Sequence, residues 1–243
     1  MHTGINTYGT KSVIDKPHGP WDNTISYQST VSSLMYAMIG TQPHIAHAVG
    51  VLSQFCMNPG QEHWNALKHV FCYLRGTSDF SIMLQGKAGA ELTSYINLDW
   101  ASEKNDHCSL TGYVFFICGG AISWSSKKQH STAQSSTEAE YMAGTHAAKG
   151  VAWLRTFLLE IGQTQNSPTW LLVDNQSAIA LVKNPEFHNW TKHIAVQYHF
   201  IREKIEEGEL VLEYIPTGEH VADILRPPQG KFYQVYYWNE PLM

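Results

Sequence analysis

Residues 111–126, "TGYVFFICGGAISWSS", decide how the rest of the chain is read. Two short runs rich in aromatic and β-branched residues flank Gly119 and Gly120, the pattern of a β-hairpin. Just upstream, "LTSYINLD" (92–99) has the same character. Downstream the period changes: from about Thr137 to Ile161, the residues Ala143, Ala147, Val151, Leu154 and Leu158 recur on one helical face. A strand "TWLLVD" (169–174) and a short helix near "QSAIALV" follow. Then come a helix carrying Ile194, Tyr198, Ile201 and Ile205, a strand "LVLEYI" (210–215) and a short helix near "EHVADIL". The order βββ-α-β-α-α-β-α predicts an α/β chain, an α+β mixed sheet with antiparallel and parallel pairs and helices packed on its faces.

The N-terminal third reads differently. Residues 1–25 are polar and carry Gly and Pro, so poor order is expected. From Ser26 to Thr77 the pattern is helical: Ile45, Val49 and Leu52 keep one face, and after the "NPG" break at 58–60 so do Trp64, Leu67, Phe71 and Leu74. The expected organisation is a helical unit at 26–85, an α/β domain at 90–228 and a C-terminal tail at 229–243.

Of 243 residues, 43% are hydrophobic and 15% charged, so the chain buries a core. A net charge of −5 excludes a surface coated in positive potential, and nucleic-acid contact would need a local basic strip. The four cysteines, at 56, 72, 108 and 118, lack CxxC pairing and read as ordinary thiols in a reducing compartment. With no long apolar run and no signal-like N-terminus, the expectation is an intracellular protein, cytoplasmic or nuclear, not secreted and without a membrane partner.

The acidic residues carry the chemistry. Period two in the first strand puts Ile96 on one face and Tyr95, Asn97 and Asp99 on the other, which is either a wet sheet face or a site. "SSTEAEYMAG" opens the long helix: Glu138 suits a capping role, whereas Glu140, three and seven residues before Ala143 and Ala147, shares the stripe turned to the sheet. An acid there is costly without a partner or metal. Asp174 ends a strand, where α/β sheets bind ligands, or caps the next helix. Asp223 in "HVADIL" is a surface acid or a fourth member. Together these acids fit a cluster for two Mg²⁺ ions, which hold the attacking and leaving oxygens in phosphodiester hydrolysis.

"GYVFFICGGAISWSSKKQ", "SSTEAEYMAG", "VDNQSAIAL", "TKHIAVQYHFIREKI" and "VADIL" closely resemble the ribonuclease H region of copia-type LTR-retrotransposon Pol polyproteins. Residues 32–77, "SSLMYAMIGTQPHIAHAVGVLSQFCMNPGQEHWNALKHVFCYLRGT", resemble the thumb- or connection-like tail of the preceding reverse transcriptase. The resemblance implies an RNase H-like fold, with helices on both faces of a five-stranded sheet behind a small helical unit. It also implies Mg²⁺- or Mn²⁺-dependent cleavage of the RNA strand of RNA–DNA hybrids. The metal carboxylates would fall on Glu140, Asp174 and Asp223. The polymerase palm, a partner in the parent polyprotein, is absent, so no polymerase activity is expected.

The departures matter as much. The family's first strand reads tyrosine-serine-aspartate-alanine-aspartate-tryptophan; here "YINLDW" puts Asn97 at the catalytic position and leaves Asp99 at the second. Further changes are "QPHIA" at 42–46, "TKHIA" ending in Ala195, and "ILRPP" at 224–228. An amide keeps one donor oxygen but loses the charge. Asp99 is two residues on, roughly 6.6 Å along the strand, too far to substitute. A persistent fold with a severely reduced rate is therefore expected. The alternatives are a non-catalytic nucleic-acid-binding module, or a decayed or co-opted transposon fragment acting through protein contacts. Lys127, Lys128 and Lys192, with Trp124 as an apolar anchor, are candidate contacts for nucleic acid, or else solvated side chains. His220, near the last acid, is a candidate for assisting product release; His193 and His199 read as surface or core histidines.

Overall fold

The computed structural model describes residues 24–86, 91–99, 110–128, 136–174, 176, 179–180 and 192–225. At 24–25, 98–99, 110, 128, 136–141, 192–198 and 223 only the backbone is described. Two compact units divide the chain, the first comprising the helices before Ser81 and the second spanning Ile82–Arg226.

The first unit is built from α1 (Thr24–Gly40), a 3-10 turn (Pro43–Ile45), α2 (Ala46–Ser53) and α3 (Gln61–Gly76). Its core joins Tyr27, Val31 and Leu34 of α1 to Ile45, Val49, Leu52, Leu67 and Val70. The stripe on α3 differs from the sequence expectation. Leu67 is buried, but Phe71 is exposed, Trp64 and Leu74 only flank the core, and His63 and Val70 take the inner positions. The cause is polar. The Gly60 N–H donates to Nδ1 of His63 at 2.8 Å, and the ring lies against Phe55 with centroids 3.9 Å apart. Anchoring the helix start through an inward histidine rotates the buried face to positions 63, 67 and 70, which hydrophobic periodicity alone does not register.

The second unit holds five strands: β1 (Thr93–Asp99), β2 (Leu110–Ile117), β3 (Gly120–Lys128), β4 (Thr169–Val173) and β5 (Leu210–Tyr214). They lie in the order β3-β2-β1-β4-β5. β1 pairs with β2 and β2 with β3 antiparallel, whereas β1–β4 and β4–β5 are parallel. This is the strand order and mixed sense of an RNase H-like sheet. The hairpin forms as expected, but its two turn residues are Cys118 and Gly119, with φ of 53° and 74°, because Ile117 pairs with Gly120. Positive φ at both turn positions matches the right-handed twist of the strands. Gly120 is a glycine for another reason: a Cβ there would collide with Leu84 and the Met83 carbonyl.

One sheet face packs against α4 (Ser136–Glu160) and α5 (Lys192–Glu206). The α4 stripe Ala143, Ala147, Val151, Leu154 and Leu158 is buried, as its spacing predicts, against Leu92, Ile96, Phe115, Leu171 and Leu210. Arg155 ties the following loop to the helix, donating to the carbonyls of Gln165 and Ser167 and to Thr169 Oγ1 at 2.8–3.0 Å. The opposite face is covered by a 3-10 helix, Val221–Leu225, which touches β1 and β2. Among the described residues, no helix is long and apolar enough to cross a membrane.

Candidate functional site

The central strand β1 alternates strictly. Leu92, Ser94 and Ile96 face α4, and Ser94 Oγ donates to the Trp170 carbonyl at 3.0 Å, stapling β1 to β4. Tyr95 and Asn97 therefore face the other way. The reading of that face as solvated is overturned: Asn97 is 1% exposed.

Two neighbours bury it. Asn97 pairs with Gly112 across β1–β2, and Gly112 pairs with Ser126 across β2–β3, so the three side-chain positions form one row on the same face. The 3-10 helix sits directly on that row. A Cβ at Gly112 would stand 3.1 Å from Leu225 Cβ, and Ser126 Oγ donates to the Leu225 carbonyl at 3.0 Å. Ala222 and Leu225 are wholly buried against the sheet, which puts the backbone of Asp223 in this same turn. Sequence reasoning missed Gly112 and Ser126; a glycine inside a strand, which marks close approach of another segment, was the available signal.

β4 brings the next group. Ile96 pairs with Val173 in parallel, and both point into the α4 core. The residues that follow, Asn97 and Asp174, thus start from adjacent strands about 4.8 Å apart; Asn97 continues β1 on the opposite face, and Asp174 is the first residue past the end of β4. Asp174 is half-buried at the bend that ends β4. The competing role of Asp174 as a helix cap falls on 175–178, largely outside the described residues.

The other predicted residues are distributed as follows. Glu140 lies in the second turn of α4 and Asp223 in the last 3-10 helix, while Asp99 closes β1; all three side chains fall outside the described residues, as do those of Lys128, Lys192 and His193. Trp124 shares the face of Ser126 and Asn97 by alternation, and is half-buried. Lys127 pairs with Thr111 and so projects from the opposite face, where it is exposed. His199 is exposed on α5. His220 is 1% exposed, its ring edge-on to Tyr95 at 5.9 Å. That position is buried beside Tyr95, two residues before Asn97 on β1.

A pair of Mg²⁺ or Mn²⁺ ions requires several hard anionic oxygens. Among the described side chains the row offers one carboxylate, Asp174, and one neutral amide, Asn97. Among the described residues no group of three or more His, Cys, Asp or Glu side chains stands together. The described pair therefore does not by itself fit a two-ion centre.

No protein-family model matches the chain. It is 47% identical over 210 residues to the retrovirus-related Pol polyprotein from transposon TNT 1-94 of Nicotiana tabacum, covering 86% of this chain and 16% of that protein. It is 40% identical over 205 residues to the Pol polyprotein from transposon RE2 of Arabidopsis thaliana, covering 84% of this chain and 14% of that one. Over 130 residues, 54% of this chain, it is 44% identical to the secreted RxLR effector protein 161 of Plasmopara viticola, spanning 92% of that protein. The chain thus spans about a sixth of the Pol polyproteins it matches. Similar solved structures include the foamy viral protease-reverse transcriptase in complex with RNA/DNA hybrid, with 14% identity, 90% of this chain and 27% of that one covered, and a TM-score of 0.48. Another is LC11-RNase H1 in complex with RNA/DNA hybrid, with 15% identity, 56% of this chain and 93% of that one covered, and a TM-score of 0.41.

Proposed function

The chain belongs to the retrovirus-related Pol polyproteins of copia-type plant transposons, and from that premise we propose that its second unit is a ribonuclease H domain whose hydrolysis of the RNA strand of RNA–DNA hybrids is severely impaired. The observation that carries this reading is that Asn97 and Asp174 each follow a paired residue, Ile96 and Val173, at the end of the β1–β4 ladder. The first of these positions is an amide, 1% exposed, whose strand partner Gly112 lies against Leu225.

Glu140, Asp174 and Asp223 come from three separate elements, and Mg²⁺ or Mn²⁺ would find its carboxylates among them. Asn97 would supply an oxygen without charge, leaving one fewer anion for the divalent ions that such hydrolysis uses. Removing one essential catalytic group commonly costs several orders of magnitude. Asp99 shares the face but lies one full pleat further along β1, and strand pairing at every position from Thr93 to Asp99 opposes the slip that would move it. His220, 1% exposed and edge-on to Tyr95, would act by holding that strand face in place.

Contact with nucleic acid would use the face that carries Trp124 and, by alternation, the Lys128 position, together with the N-terminus of α5 at Lys192. Lys127 projects from the other face and is left out of this strip.

The test compares the natural chain with Asn97→Asp on an end-labelled RNA–DNA hybrid in Mg²⁺ and in Mn²⁺. The natural chain is expected to leave the RNA strand intact over times in which Asn97→Asp nicks it, and Asp174→Asn in the Asn97→Asp background is expected to abolish the gain. Cleavage by the natural chain at an undiminished rate would sink the reading. Hybrid binding without cleavage by either protein, weakening steeply with salt, would instead identify a binding module.

A further inference from the structure

The start of α3 is closed by a histidine. The third residue of a helix commonly reaches back to the N-cap backbone with a Glu or Gln side chain. Here that residue is His63, and the Gly60 N–H donates to its Nδ1 at 2.8 Å. A neutral imidazole that accepts at Nδ1 carries its proton on Nε2. His63 is wholly buried, its Nε2 meets no hydrogen-bond partner among the described residues, and its ring lies against Phe55 with centroids 3.9 Å apart.

The surroundings hold no anion for a charged ring. From Thr24 to Gly60, the chain that packs against α3, there is no Asp, Glu, Lys or Arg. The titratable groups of that stretch are Tyr27, whose hydroxyl donates to the Leu52 carbonyl, the exposed Tyr36, His44, His47 and Cys56. On α3 itself the exposed Glu62 bears on the ring, and burial outweighs it. The exposed Lys68 and His69 start more than a full turn further along, and the Lys68 ammonium lies over the Trp64 ring.

We propose that His63 is a proton-sensitive latch: its neutral ring closes the start of α3 on Gly60, and protonation opens that turn in mild acid. Geometry gives the direction. A proton taken up at Nδ1 turns the acceptor that Gly60 needs into a second donor, so two N–H groups point at each other. The Gly60 N–H then loses its partner, and a lone imidazolium stands in an apolar wall. Phe55 is the neighbour that would attract the cation, but its ring offers Gly60 no acceptor. Opening the turn lets water solvate both groups. Burial of the ring acts in the same sense, lowering its pKa. Closure is therefore fully stabilising above about pH 6.5, where an open ring is neutral, and is lost as pH falls below it. Glutamine at this position would close the turn without titrating, so histidine is the residue type that adds pH dependence to the cap.

The test is made on the full chain. Long-range proton–nitrogen correlation spectra at neutral pH are expected to show His63 as the Nε2–H tautomer. Amide exchange, corrected for intrinsic rate, is expected to show Gly60 losing protection about tenfold between about pH 7.5 and about pH 5, because the open ring takes up its proton near 6.5. His63→Gln is expected to abolish that pH dependence at Gly60. His44→Gln, which removes the other histidine whose pKa burial lowers, is expected to leave it in place. An Nδ1–H tautomer, equal Gly60 protection at the two pH values in the natural chain, or an unchanged loss in His63→Gln would each overturn the proposal. The tautomer and the Gly60 amide are read on the natural chain, so they decide the question even if His63→Gln does not fold.

Discussion

Asn97 and Asp174 each stand one residue past a matched pair of core positions, Ile96 and Val173, on neighbouring parallel strands. That register turns Asn97 away from the α4 core and onto the face closed by the Val221–Leu225 helix, and sets Asp174 at the adjacent strand end. A neutral amide at position 97 adds no charge near the Asp174 carboxylate, whereas a second carboxylate there is disfavoured without an ion.

Asn97→Asp is therefore expected to lower stability in the absence of divalent ions by about 1–3 kcal/mol, through an unscreened charge in a buried position next to Asp174. Mg²⁺ or Mn²⁺ is expected to return most of that loss, because an ion that binds only the folded variant stabilises it by mass action. Thermal melts with EDTA and with added ion check this. The natural chain should melt at the same temperature in both.

Gly112 is a close-approach glycine. Substitution by alanine would bring a methyl to 3.1 Å from Leu225 Cβ and force the 3-10 helix outward. Overpacking of this kind costs about 1–3 kcal/mol. Hydrogen exchange at 221–225 should accelerate in Gly112→Ala while exchange in β4 and β5 is unchanged.

The first unit carries an acid sensitivity. Burial lowers the pKa of His44 to about 4, and burial also lowers that of His63, outweighing the opposing influence of Glu62. Both rings are favoured neutral in the folded unit. Unfolded histidine takes up its proton near 6.5, so the stabilisation is complete above that pH. It is lost as pH falls from about 6.5 toward the folded value of about 4. Amides of α1, α2 and α3 should lose protection at about pH 5 relative to pH 7.5, after correction for intrinsic exchange. Equal protection at the two values would contradict the assignment.

Arg155 holds the loop between α4 and β4 through three donated hydrogen bonds in a planar fork. Lysine cannot reproduce that fork. Arg155→Lys is expected to cost about 1–2 kcal/mol, and limited proteolysis should reveal new cleavage between residues 161 and 168.

Much of this molecule was legible in the residue order. The hairpin, the α4 stripe and the alternation of β1 are local patterns, and a local pattern is sufficient wherever one face of an element is apolar and the other is not. The Trp64–Phe71 stripe failed because a polar side chain, His63, took an inner position, and the partners that make a buried histidine acceptable, Gly60 and Phe55, were invisible to a count of apolar residues. The wet face of β1 failed for a related reason. Its cover comes from Val221–Leu225, more than a hundred residues away in sequence.

Residue order by itself thus determined the hairpin, the α4 stripe and the alternation of β1, since each is written in local spacing, while the expectation of an acid at position 97 came from the family resemblance. Only the tertiary structure decided that Asn97 is sealed rather than solvated, that Lys127 and Asn97 look in opposite directions, and that Gly112 and Ser126 seat the last helix. These are consequences of strand register and of contacts between distant segments, and neither is fixed until the sheet has closed around its core.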